Sequence, residues 1–274
     1  MPNPYISGTG FYLPPRVVTN EELATFMDTT DEWIQERTGI KERRYVESGE
    51  GPSDLAIPAT EQALDMAGLE VKDIDFMIFA TSTPDFYAPG AGCLLQDKMG
   101  FNEIGALDIR VQCSGFLYGL SIAEQYIKTG VFKNILLIGA EVQSTAMDLT
   151  NEGRDTAVIF GDGAGAAIIS ATAEDRGILS THMHSEGKYL KELWLESPAS
   201  NAGHPRISSN DLNDGKQYLK MNGREVFRHA VTRFPEVIHE CLEKNNLTTD
   251  DIDLLIPHQA NLRITQMVQK KLGL

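Results

Sequence analysis

Two side chains stand out for the chemistry they could do. Cys113 lies at a break between an apolar stretch, ALDIRVQ, and an amphipathic one, FLYGLSIAEQYIKT, with Ser114-Gly115 just after it. A thiol at a helix N-terminus meets free backbone N–H groups and the positive end of the helix dipole, and both favour the thiolate. A thiolate is the form that attacks a thioester. The same spot also suits a buried structural cysteine, the usual fate of an unpaired thiol. His258 follows Pro257 at the end of the apolar run Leu254-Leu255-Ile256. If that run is a strand, the imidazole projects from a sheet end, and its neutral N–H can stabilise an oxyanion. A surface histidine after a strand is the alternative. Cys93, in PGAGCLLQDKMG, and Cys241, in VIHECLEKNN, read as helical core or boundary residues. Three widely spaced cysteines with no zinc-like spacing argue against a disulfide framework and a structural metal.

The elements that must position these two residues repeat within the chain. Residues 58–81 read PATEQALDMAGLEVKDIDFMIFAT, and residues 235–259 read PEVIHECLEKNNLTTDDIDLLIPHQ. Both run proline, amphipathic helix, polar turn, Asp-Ile-Asp and apolar strand, with Asp73-Ile74-Asp75 in register with Asp251-Ile252-Asp253. Two copies of one βα unit predict a duplicated α/β fold with pseudo-two-fold symmetry. The first copy continues through a helix, the ALDIRVQ strand, the Cys113 turn, a long helix and further strands to about Ser170. The second reaches Leu274 where its next strand is expected. The expectation is a first half over residues 1–170, carrying the cysteine, and a second over 171–274 that lacks its final strands.

Composition narrows the class. The chain has 274 residues, 42% hydrophobic and 23% charged, which suits a folded core and not disorder. No apolar run approaches the roughly 20 residues of a membrane span, and MPNPYISGTG has no secretory pattern, so a cytoplasmic protein without membrane association is expected. A net charge of −15 disfavours nucleic acid. Gly8-Thr9-Gly10 lacks the third glycine of a dinucleotide fingerprint, and Gly161, Gly163 and Gly165 lie between apolar runs with no helix after them, so no nucleotide cofactor is expected. His182 and His184 share one side of an expected strand but have no third ligand, and they read as structural.

Several motifs, in order along nearly the whole chain, resemble one family. DTTDEWIQERTGIKERR (28–44), VQCSGF around Cys113, GRDTAVIFGDGAGAAII (153–169), MNGREVFRHAV (221–231) and IPHQANLRI (256–264) are similar to the signatures of β-ketoacyl-acyl-carrier-protein synthase III, a thiolase-fold condensing enzyme. The resemblance implies a layered α-β-α-β-α thiolase-like fold and a decarboxylative condensation. Cys113 would accept an acyl group from acyl-coenzyme A. Malonyl-acyl carrier protein would lose carbon dioxide, and the enolate would attack the acyl-enzyme to give 3-oxoacyl-acyl carrier protein, initiating fatty acid synthesis. His258 matches the donor to the thioester oxygen. The family's asparagine partner and glycine-rich loop match nothing up to residue 274.

Other roles follow by the same match. Trp33 and Arg37, with Thr29 nearby and Arg154, match residues that hold the adenine of coenzyme A. Phe227, Asn261 and Arg263 match the pantetheine channel or its mouth. Arg228, Arg263, Lys270 and Lys271 match the docking surface for acyl carrier protein, with Arg224 one turn from Arg228. Residues 82–92 match a loop that caps the partner's acyl pocket in a homodimer, with Ala88 where some members carry an aromatic residue. Two alternatives stand beside this reading. One is a related thiolase-fold enzyme, such as a polyketide starter synthase or an acyl-coenzyme A:acyl-coenzyme A condensing enzyme. The other is an inactive carrier-protein-binding fragment.

Overall fold

The computed structural model describes residues 1–274, apart from the side chain of Ala202. The elements that position the site are, in chain order, β1 (Asn3–Tyr12), α1 (Asp31–Thr38), α2 (Pro52–Ala67), β2 (Phe76–Ala80), α3 (Ala91–Met99), β3 (Gly105–Ile109), α4 (Gly115–Lys128), β4 (Asn134–Val142), β5 (Asp162–Thr172), α5 (Gly223–Lys244) and α6 (Leu262–Leu272). They belong to two compact units that alternate along the chain. Met1–Arg16, Arg44–Val142 and Asp162–Met183 form the first, and Val17–Arg43, Gln143–Gly161 and His184–Leu274 the second. Residues 17–43 and 143–161, assigned from sequence to the first half, thus fold with the second unit.

The first unit is built on a sheet of order β1-β5-β4-β2-β3. β4, β2 and β3 run parallel, and β5 and β1 join antiparallel. The parallel strands are nearly continuous apolar runs because both sheet faces are covered. Met77, Phe79, Leu136, Ile138 and Ile168 pack with Leu55, Ala59 and Ala63 of α2 and Leu95 of α3. Ile78, Ile135, Leu137, Ala167 and Ile169 pack with Leu120, Ala123 and Ile127 of α4. The Gly8/Gly10 pair belongs to this packing: a Cβ on either would lie 2.2 or 2.1 Å from the Ala63 or Ala59 carbonyl oxygen, so the glycines let α2 lie directly on β1. Gly163 and Gly165 lie inside β5, paired to β4.

In the second unit α5 and α6 pack through Ile264, Val268 and Leu272 against Phe227, Val231, Phe234 and Ile238. α1 joins them. Its C-terminal Gly39 takes φ 77°, and a Cβ there would lie 2.7 Å from Cβ of Leu262, so both backbone and close approach select glycine. Arg43 is buried, and its guanidinium donates to the carbonyls of Val18 and Val158 and to Asn20 Oδ1.

The internal repeat holds locally and diverges in pairing. Asp73 closes a 3₁₀ turn by accepting the Glu70 N–H at 2.8 Å, and Asp251 does the same for Thr248 at 2.8 Å. In the first copy Asp75 then accepts the N–H groups of Lys133 and Asn134, and β2 enters the sheet beside β4. In the second copy residues 252–260 form no strand, and Leu254 and Ile256 are 74% and 76% exposed. The expected strand before His258 is therefore absent here, since the segment meets no ladder partner among the described residues. Residues 178–184 likewise form no strand; His182 bonds Ser180, and His184 pairs with Glu240 at 2.6 Å. Among the described residues no helix is long and apolar enough to cross a membrane.

Candidate functional site

β2, β3 and β4 are parallel, so their carboxyl ends share one edge of the sheet, where open α/β sheets bind ligands. Cys113 lies on the turn leaving β3. Gln112 is held at φ 48°, a left-handed conformation that costs a non-glycine residue about 1 kcal/mol or more. A 3₁₀ turn over Gln112–Ser114 leads into α4, whose first residue, Gly115, sits against the last residue of β2. A Cβ at Gly115 would lie 2.7 Å from Cβ of Ala80. Gly115 is thus a steric requirement of starting a helix at the strand end.

Cys113 is exposed, as a nucleophile must be. Its thiol nevertheless lies among enough protein atoms that desolvation, followed by the negative charge of Glu141, pushes its pKa up. Solvent reaching the residue moderates that penalty, but the direction is opposite to the thiolate expected from a helix N-terminus. The cysteine stands two positions before α4 begins, inside the 3₁₀ turn, and a carboxylate lies near it. Both effects favour the neutral thiol in the resting site.

Glu141, near the end of β4, escaped the sequence reading. Its carboxylate accepts from Ser82 N–H at 2.8 Å, Ser82 Oγ at 2.9 Å and Thr83 Oγ1 at 2.5 Å. The signal was a lone acid in the apolar run ILLIGAEV, but its partners lie about sixty residues earlier and no local pattern points to them. The loop that follows, through Phe86 and Tyr87 to Gly90, lines a cavity of about 200 Å³ with Asp108, Ile109 and Arg110.

The second unit brings the residues expected to hold adenine together. Thr30 caps α1 by accepting the Trp33 N–H at 3.1 Å, and this sets the indole one turn before Arg37. The Arg37 guanidinium lies 4.2 Å from the Trp33 ring centroid and that of Arg154 lies 4.7 Å away. Arg154 is anchored by donating Nη1 to the Asp28 carbonyl at 2.8 Å, while Asp28 N–H donates to Asn151 at 2.6 Å. Thr29 Oγ1 is buried without a hydrogen bond, a donor available to a polar ligand, while Arg154 Nε faces Asp155 Oδ1 at 3.5 Å. The helix buries Ile34 and Thr38, leaving Trp33 half-buried, so the indole is not simply core filling. A purine inserted between indole and guanidinium needs two contact spacings of about 3.5 Å. A guanidinium at 4.7 Å closes that slot, so a base must displace it.

Asn261 caps α6, accepting the Arg263 N–H at 2.9 Å and donating to the Arg37 carbonyl at 2.9 Å. It thereby ties α6 to the C-terminal end of α1. Arg263 lies 5.6 Å over the Phe227 ring. Arg228 pairs with Glu225 on its own helix, and Lys271 donates to the Val231 carbonyl at 2.8 Å. Arg263, Lys270 and Arg224 are exposed. His258 lies in the irregular run before α6. The residue is exposed, and partial desolvation of its ring pushes the pKa down, which favours the neutral imidazole, the form that can donate N–H to an oxyanion.

Comparison with known proteins agrees along the chain. A family profile described as 3-oxoacyl-[acyl-carrier-protein (ACP)] synthase III matches residues 107–187, and its C-terminal counterpart matches 242–274. Beta-ketoacyl-[acyl-carrier-protein] synthase III of Methylococcus capsulatus is 44% identical over 98% of this chain and 80% of its own. The protein of the same name from Clostridium perfringens is 44% identical over 100% of this chain and 82% of its own. The crystal structure of 3-oxoacyl-[acyl-carrier-protein] synthase III from Aquifex aeolicus superposes with a TM-score of 0.88 at 41% identity, covering 99% of this chain and 81% of that one.

Proposed function

Because the chain belongs to the β-ketoacyl-[acyl-carrier-protein] synthase III family, a group of thiolase-fold acyltransferases that initiate fatty acid synthesis, we propose that Cys113 is its nucleophile and His258 its oxyanion donor. The observation that carries this reading is the exposed Cys113, set on a strained turn at the carboxyl end of three parallel strands. The acyl carbonyl of acyl-coenzyme A is attacked by the Cys113 sulfur, and coenzyme A leaves as its thiol, taking the proton that the cysteine gives up. Malonyl-acyl carrier protein then loses carbon dioxide. The enolate carbon attacks the acyl-enzyme carbonyl, and the Cys113 sulfur leaves as a thiolate that takes a proton from solvent. His258, in its neutral form, donates its N–H to the malonyl thioester oxygen, where negative charge develops. Loss of one such donor typically costs about 3 kcal/mol of barrier.

Trp33, Arg37, Arg154 and Thr29 hold the adenine end of coenzyme A. Phe227 and Asn261 flank its pantetheine arm. Arg228, Arg263, Lys270 and Lys271 attract the acidic carrier protein to a chain of net charge −15. The working enzyme is a cytoplasmic homodimer, a state supported by β3 standing at a sheet edge. The test is mass spectrometry after incubation with acetyl-coenzyme A. An acetyl adduct on the Cys113 peptide, and its discharge by malonyl-acyl carrier protein but not by malonyl- or acyl-coenzyme A, is the expected result. Carrier binding with no adduct indicates an inactive binding protein. Discharge by malonyl-coenzyme A alone indicates a starter synthase of another pathway.

A further inference from the structure

The edge that presents Cys113 carries a carboxylate that the condensation does not use. Glu141 is the penultimate residue of β4, and four groups on the turn after β2 converge on it. Oε1 takes the Ser82 N–H and hydroxyl at 2.8 and 2.9 Å, and Oε2 takes the Thr83 and Thr81 hydroxyls at 2.5 and 3.5 Å. Thr83 Oγ1 accepts in turn from the Val142 N–H at 2.8 Å, which stitches the turn to β4 twice. Thr81 N–H donates to the Ile109 carbonyl at 3.1 Å, so the other side of the turn is sewn to β3, the strand that leads to Cys113.

We propose that Glu141 is a positioning residue for the Cys113 site: its carboxylate bolts the turn at residues 81–83 to the end of β4 and fixes a negative charge beside the nucleophile's turn. The proposal rests on Cys113 being the nucleophile. A purely structural clasp needs no charge, because a glutamine carbonyl would accept the Ser82 N–H equally well. The Thr83 hydroxyl could rotate to accept from the amide.

The charges packed round this edge differ in what they do. Asp108, on β3, accepts the Ala91 and Gly92 N–H groups at the start of α3, and Arg110 follows it into the loop-lined cavity. Asp162, on β5, accepts the Val46 N–H at 2.8 Å. Glu124, on α4, pairs with Lys128 and accepts from Thr181. Glu141 is the one whose charge acts on the Cys113 thiol, and it acts with burial to keep the sulfur protonated. The clasp therefore ties the turn after β2 to β4, next to the strand that leads to Cys113, and its charge favours the neutral thiol.

The experiment is the pH dependence of iodoacetamide alkylation, read peptide by peptide in the full chain, with hydrogen exchange at residues 82 and 83. In Glu141→Gln the midpoint for Cys113 moves to lower pH. Each unit of that move raises the rate at a fixed lower pH about tenfold, as the thiolate fraction rises. The Ser82 amide stays protected in Glu141→Gln and loses protection in Glu141→Ala. Half-buried Cys241 reports folding, and its labelling stays at the parental rate. An unchanged Cys113 midpoint in a folded Glu141→Gln overturns the electrostatic role. Unchanged Ser82 protection in Glu141→Ala overturns the positioning role. If both shifts occur but acetyl-coenzyme A never acylates Cys113, the clasp stands and the nucleophile assignment fails.

Discussion

Replacing Gly115 by alanine puts a methyl carbon 2.7 Å from the Ala80 methyl, with the Ala80 Cα at 3.8 Å. Carbon atoms settle at about 3.5–4.0 Å, so the shortfall is about 1 Å. Neither methyl can rotate out of the way, and Ala80 is 6% exposed at the end of a central strand. The start of α4 must retreat. Overpacking of this kind costs about 1–3 kcal/mol, offset in part by alanine's better helix propensity. For a chain of this size that is a drop in Tm of roughly 2–10 °C. The larger effect falls on the thiol two residues away, because a displacement of about 1 Å can cost about 100-fold in rate. The assay is the rate of Cys113 acylation from acetyl-coenzyme A by intact mass, beside a thermal melt. Ala80→Gly in the same chain removes the opposing methyl and should restore most of the rate, which a general loss of stability would not allow. A Gly115→Ala protein with parental Tm and an acylation rate within about twofold of parental would refute the close-approach argument.

Three further outcomes follow from the second unit. Trp33→Ala removes the ring that Arg37 and Arg154 face at 4.2 and 4.7 Å, and coenzyme A affinity by calorimetry should fall about 5- to 30-fold, with Trp33→Phe keeping most of it. An unchanged Kd would remove Trp33 from the site. His258 has a folded pKa below its unfolded value, so its contribution to stability is present above about pH 6.5 and is lost as pH falls through the lower folded value. Urea melts at pH 5.5 and 7.5 should show a smaller pH difference in His258→Gln, and an identical difference would show that the imidazole is not desolvated. Arg263→Glu with Lys270→Glu should slow carrier-protein association about tenfold at low salt and much less at high salt, read by surface plasmon resonance. Lys271 is spared because its ammonium holds the Val231 carbonyl.

Legibility from the sequence divides by the reach of the interactions. The αβ class, the helices, the Cys113 turn and the two Asp-Ile-Asp turns were readable because each depends on neighbours a few residues apart. Trp33, Arg37 and Arg154 were grouped only through the family resemblance, since no local pattern joins residues 33 and 37 to residue 154. The direction of the Cys113 pKa was misread. The helix dipole is a local feature visible in sequence, but burial and Glu141 come from other strands. The interleaving of residues 17–43 and 143–161 with the second unit was hidden for the same reason.

The two copies of the repeat isolate this limit within one chain. Asp73 and Asp251 accept the same N–H at the same distance, so the turn is written in its own residues. Two positions on, Asp75 holds Lys133 and Asn134, but Asp253 finds no comparable strand among the described residues, and the apolar run after it stays outside any sheet. An alternating or apolar pattern states that a segment would be stable in a sheet, because every backbone N–H and C=O there must still find a partner. Only the distant strand supplies that partner. The length of chain that separates β2 from β4 in the first copy is therefore as much a part of the strand's specification as the apolar residues themselves. The placement of His258 depends on the same condition, since a histidine at the end of a paired strand is held by the sheet and one at the end of an unpaired segment is not.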